Sequence, residues 1–206
     1  MIVRSRYWKI SPLLLTILML AGCSENNKQV PTESGAIIIP DGHFNEEAWD
    51  ESLTFELAPE GKLHILQSEE EVLLGIQYKK ALGKYADVLL SNDSMGTINL
   101  HASMQLGERL LVGNWNDTIP AWNWGNNTGW IANTVYYREH NEKLLLMESI
   151  APYEGFEFRI SKKKIRQNKL LLRLEIHDFM DTSKNEFYPV LSNRKDTSSW
   201  LEVLFD

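Results

Sequence analysis

Between Gly96 and Leu106 apolar and polar residues alternate without interruption: Ile98, Leu100, Ala102, Met104 and Leu106 against Asn99, His101, Ser103 and Gln105. A repeat of two sends one set to a buried face and the other to the opposite face, so the stretch predicts a strand. The same reading holds for Val72, Leu74, Ile76 and Tyr78, for Phe156, Phe158 and Ile160, for Leu170, Leu172, Leu174 and Ile176, and for Leu201, Val203 and Phe205. Ala36–Ile39, Leu53–Leu57, Leu63–Gln67, Asp87–Ser91 and Ile131–Tyr137 are less regular strand candidates, set off by turn material such as Ser68-Glu69-Glu70 and Asn92-Asp93-Ser94. Many short strands joined by polar connections predict an all-β protein, an antiparallel β-sandwich.

Helix is confined to one or two short turns. Asn45 can cap the first, with Glu46 and Glu47 at the positive end of its dipole and Phe44 and Trp49 placed as a hydrophobic staple. Lys162–Gln167 is the second candidate. No internal repeat appears.

A different pattern opens the chain. Arg4, Arg6 and Lys9 precede the apolar run Leu13–Leu20, which ends in small residues. That is a secretory signal layout, too short for a comfortable membrane span. Leu20-Ala21-Gly22-Cys23 then resembles the lipobox of bacterial lipoproteins, which implies that residues 1–22 are a signal peptide and that Cys23 carries the acyl chains. Cys23 is the only cysteine, so no internal disulfide forms. The segment 23–35, almost without apolar residues, is expected to be a flexible stalk from the lipidated Cys, and 36–206 the folded domain. Residues 1–22 hold three of the 21 basic residues and none of the 28 acids, so the rest has 18 bases against 28 acids, a formal −10. A chain so acidic is a poor partner for nucleic acid.

Ile37–Trp49, IIIPDGHFNEEAW, resembles the opening of family 9 carbohydrate-binding modules: a strand, Asp-Gly, a short acidic turn and a Trp. Glu71–Tyr78, Asp87–Leu90, Gly155–Ile160 with the turn after it, and Ser199–Phe205 are similar to later strands of that module, in the same order. The resemblance covers most of Ile37–Asp206. It implies a sandwich of the kind shared by these modules and DOMON-like domains, a possible structural calcium held by Asp41, Glu46 or Glu47, and a sugar clamped between two aromatic rings. At the first ring position, just ahead of the Asp-led strand, stands Tyr85; at the second, Leu191–Ser199 holds no aromatic residue.

Sugars present an apolar face of C–H groups and a rim of hydroxyls, so their sites combine exposed flat rings with amide, carboxylate and hydroxyl partners. Asn114–Trp130 contains four of the seven Trp. Trp115, Trp122 and Trp124, interleaved with Asn114, Asn116, Asp117, Asn123, Asn126 and Asn127, offer that mixture, whereas Trp130 opens a strand and is assigned to the core with Trp49 and Trp200. The polar row containing Asn99 and His101 either lines a binding face with Tyr85 or is a solvated outer face. The five His are scattered singly, so no metal site is predicted from spacing. No nucleophile elbow, phosphate loop or Cys/His cluster is present.

Together these readings predict a non-catalytic carbohydrate-binding domain on a bacterial cell-envelope lipoprotein, at the outer membrane. Its expected partners are a polysaccharide or oligosaccharide and, through the lipid anchor, a membrane. The alternative is a structural or assembly module of the envelope without a sugar site. Behind it stand a polysaccharide-active enzyme, and a haem-binding domain using His101 with Met95 or Met104.

Overall fold

The computed structural model describes residues 28–33, 37–57, 60–78, 83–111, 119–125, 128–134, 137–140, 143–146, 154–179 and 181–206. Cys23, the signal segment and Trp115 lie outside the described residues. The strands run in chain order as β1 (Lys28–Gln29), β2 (Leu53–Leu57), β3 (Gly61–Gln67), β4 (Glu71–Tyr78), β5 (Lys84–Asn92), β6 (Gly96–Ala102), β7 (Leu106–Leu111) and β8 (Asn123–Trp124). They continue as β9 (Trp130–Ala132), β10 (Tyr137–His140), β11 (Lys143–Leu146), β12 (Gly155–Ser161), β13 (Lys169–Asp178), β14 (Glu186–Tyr188) and β15 (Leu201–Leu204).

They form the expected sandwich. One sheet has the order β1-β15-β13-β5-β6-β7-β8, with β14 also paired to β13; the other has the order β2-β3-β4-β12-β9; β10 and β11 form a separate pair. Apart from the parallel contact of β1 with β15, the strand pairs are antiparallel. The alternation read from the sequence explains the core. Val88, Leu90, Leu100, Leu172 and Leu174 from one sheet meet Leu63, Ile65, Leu74, Ile76, Phe156 and Phe158 from the other, all buried.

Several local expectations are corrected. The alternating run from Gly96 breaks after Ala102, where Ser103–Gln105 turns the chain into β7, so Met104 is 50% exposed instead of core. The first helical turn is a 3-10 turn, Glu47–Glu51, whose N-cap is Glu46 and whose cap side chain makes no hydrogen bond. Phe44 still packs on Trp49, with ring centroids 5.5 Å apart. The second turn is α1 (Lys162–Ile165), capped by the Ser161 side chain, which accepts from Lys163 N–H. Residues 37–39 form no strand, although Ile38 is buried and Ile37 and Ile39 are exposed. Ile131–Tyr137 is not one strand: β9 ends at Ala132, and Tyr137 begins β10.

The expected stalk is also shorter. Lys28–Gln29 adds a strand to β15, Val30 is 1% exposed within the core, and its N–H donates to the Leu204 carbonyl at 2.9 Å. A buried Val and hydrogen bonds to Gln67 and Asp206 dock a segment whose composition reads as linker.

Both outer faces are covered in part. Ile38, Ala48, Trp49 and the partly buried Phe44 lie over Leu66 and Leu73 of β3 and β4. On the other sheet Trp200 packs with Leu89 and Leu111, beside the polar row that concerns function.

A candidate sugar-binding face on the larger sheet

Register places the site. One row crosses the larger sheet on its outer face as Trp124 (β8), Gly107 (β7), His101 (β6), Asp87 (β5), Glu175 (β13) and Phe187 (β14), each residue paired with the next. The row below runs Arg109, Asn99, Leu89 and Arg173, and above it Tyr85 faces His177. Alternation along each strand does this: Arg173, Glu175 and His177 are the residues between the core-facing Leu172, Leu174 and Ile176.

Aromatic rings form a continuous run along one side. Trp122 and Trp124 have centroids 5.4 Å apart at 36°, and His101 lies 5.1 and 5.4 Å from them. Tyr85 continues the run, 5.3 Å from His101, stacked on His177 at 4.6 Å and tilted against Phe179 at 4.7 Å. Trp124 is 48% exposed. Trp122 is half-buried, with the Arg109 guanidinium 3.9 Å from its ring centre. Gly107 is the seat of this pair: a Cβ there would come within 2.6 Å of the Trp124 ring and 3.3 Å of the Trp122 ring.

Beneath the rings the polar groups hold one another. Asp87 Oδ1 is 2.6 Å from His101 Nδ1, and His101 Nε2 is 2.9 Å from Ser103 Oγ. Glu175 pairs closely with Arg173 and is 3.0 Å from Arg194 Nε, while Arg194 Nη2 is 3.9 Å from Asp87. Burial pushes the Glu175 carboxyl up, but His177, Arg194 and Arg173 outweigh it and hold it below its ordinary range. Burial, then the charges of Asp87 and Glu175, push the Tyr85 phenol up.

No family model matches the chain, and no curated protein matches it. A solved structure does. The chain is similar to a carbohydrate binding module family 9 from Caldicellulosiruptor kristjanssonii in complex with cellotriose, at 12% identity over 87% of this chain and 94% of that one, with a TM-score of 0.47.

Of the residues expected to form a sugar site, Tyr85, Asn99, His101, Trp122 and Trp124 lie on this one face, and Trp115 lies outside the described residues. Tyr85 stands inside β5, which begins at Lys84 instead of at Asp87. The row Asn99, His101 and Ser103 is not a solvated face, since all three are buried, Asn99 at 0% exposure with neither amide atom partnered among the described residues. Sequence reasoning passed over Asp87, Gly107, Arg109, Arg173, Glu175, His177 and Arg194. Arg173, Glu175 and His177 carried a signal, the charged half of the alternation in β13. Arg194 carried none, because it comes from the loop between β14 and β15.

Within that loop Leu191–Ser199, which holds no aromatic ring, delivers a guanidinium to the site. The scattered histidines also gave no sign that Asp87, Glu175 and His177 would bring ligand atoms within 4.8 Å of one another. Arg173 and Arg194 already neutralise those carboxylates, which leaves little attraction for a cation. Haem fares no better, because both nitrogens of His101 are engaged and Met104 points to solvent.

The acids expected to hold calcium are fitted to another task. Asp41 Oδ1 accepts from His43 N–H at 2.8 Å and Glu46 Oε1 from Ile39 N–H at 3.3 Å. Glu157 accepts from Asp41 N–H, Gly42 N–H and Trp49 Nε1–H. The inward N–H groups of this turn suit carboxylates, and Glu46 Oε2 is buried with no hydrogen-bond partner among the described residues.

Proposed function

We propose that the chain is a non-catalytic glycan-binding domain of a bacterial envelope lipoprotein, tethered to the outer membrane by acyl chains on Cys23. The observation that carries the reading is Trp124, an exposed indole seated on Gly107, beside Trp122 and over the buried polar row of His101 and Asp87. A pyranose laid on that ring would bury its C–H face while its hydroxyls reach the imidazole, carboxylate and guanidinium groups around it. The absence of catalysis is argued from the same groups. Glycoside hydrolysis needs one carboxyl kept protonated as an acid; Glu175 is held ionised, and Asp87 is bound to His101.

Soluble glycans should quench or shift the Trp fluorescence of the chain lacking residues 1–23. Trp122→Ala and Trp124→Ala should each weaken retention on the preferred polysaccharide by about fivefold, the effect of losing roughly 1 kcal/mol of ring contact. A broad panel that leaves the fluorescence unmoved would return the protein to the class of envelope assembly modules. The anchor is tested separately: Cys23→Ser should move the protein from the detergent phase to the aqueous phase, since the acyl chains supply the membrane affinity.

A further inference from the structure

Charge on the sugar-binding face is not balanced. Arg109, Arg173 and Arg194 bring three guanidiniums to a face whose described carboxylates are Asp87 and Glu175. Both carboxylates are engaged by other groups, Asp87 by His101 and Glu175 by Arg173 and Arg194. Arg109 pairs in register with Asn99, in the row beside theirs, and has no ion-pair partner among the described residues. Its guanidinium lies over Trp122, and its Nε is buried without a hydrogen-bond acceptor. Burial, then the charge of Arg194, lower its pKa, and the more distant charges of Asp87 and Glu175 offset this only in part. Asn99 beside it is fully buried, with its amide unpartnered among the described residues.

We propose that the site selects an acidic sugar, a uronic acid residue of a glycan, whose carboxylate docks on Arg109 while its ring stacks on Trp124. This rests on the glycan-binding reading and adds the substrate class to it. A planar carboxylate matches the guanidinium fork, and the indole beside it excludes the water that would otherwise weaken the pair. The whole chain carries a formal charge of −7, so the positive excess of this face stands against an acidic background. Recognition is therefore of one carboxylate at one position, not of a long polyanion, which the rest of the surface repels.

The test uses the full chain in detergent, with three sugars of equal length: a uronic acid oligosaccharide, its methyl ester, and a neutral cello-oligosaccharide. Titration followed by Trp fluorescence should show the acid binding about tenfold or more tighter than the ester, the worth of one charge-assisted hydrogen bond. Arg109→Gln should erase that difference, so that the variant binds acid and ester alike. Equal binding of acid and ester by the unaltered protein overturns the acidic-sugar inference while glycan binding stands. Binding of none of the three, nor of any sugar in the wider panel, removes both. The acid-against-ester comparison on the unaltered protein decides the matter even where Arg109→Gln fails to fold.

Discussion

At the scale of single residues, Gly107 shows how a binding surface is shaped by what is missing. Any side chain there would collide with the Trp124 indole at 2.6 Å, so the ring lies on the sheet only because β7 offers bare backbone beneath it. Gly107→Ala should swing the ring away and reduce glycan affinity several-fold. Because the displaced ring is half in solvent, unfolding free energy should change by less than about 1 kcal/mol; a thermal melt beside the binding titration separates the two effects. The importance of Trp122 and Trp124 was legible in the sequence from their setting of Asn and Gly. Gly107 was not, because nothing along β7 records which ring will lie above it.

At the scale of elements, β1 carries a share of stability that its two residues conceal. Val30 is in the core, the Gln67 amide donates to its carbonyl at 2.7 Å, and Glu33 N–H donates to the Gln67 carbonyl at 2.7 Å. A chain beginning at residue 34 should lose about 3 kcal/mol, combining the exposure of a buried Val with an orphaned amide. Denaturant midpoints of the two lengths measure this, and an unchanged midpoint would show β1 to be dispensable. Strands with strict alternation, β4, β12 and β13, were legible because each has one face in the core. The outward face of β13 was passed over because attention to its leucines left Arg173, Glu175 and His177 as mere spacers. Those spacers form the site.

At the scale of the molecule, the two outer faces respond oppositely to pH. Glu157 is buried under Trp49, and burial, offset in part by its N–H donors, raises its carboxyl from 4.5 to about 7. Its proton is held more tightly in the folded state, so its contribution to stability is complete below about pH 4.5 and is lost as pH rises through about 7. Glu175 on the far sheet is lowered, so its contribution is present at neutral pH and lost in acid. The difference in unfolding free energy between the native chain and Glu157→Gln should therefore drift against the native chain between pH 4.5 and 7. A flat difference across that window would mean that Glu157 is ionised without cost in the folded state. Glu175→Gln should show the opposite trend at acid pH.

By itself the amino-acid sequence determined the sandwich, because a repeat of two with one apolar face leaves a strand no stable place except against a second such face. It also singled out Trp122 and Trp124, set among Asn and Gly in a connecting segment, as the rings of the proposed sugar-binding face. The tertiary structure alone decided which polar residues meet. Register across β8, β7, β6, β5, β13 and β14 brings Trp124, Gly107, His101, Asp87, Glu175 and Phe187 into one row from six separate strands. Arg194 joins from a loop, and Arg109 ends beside Trp122 with no carboxylate of its own among the described residues. Pairing partners in an antiparallel sheet are set by the whole chain's closure, not by local pattern. The charge of this face therefore emerged only on folding.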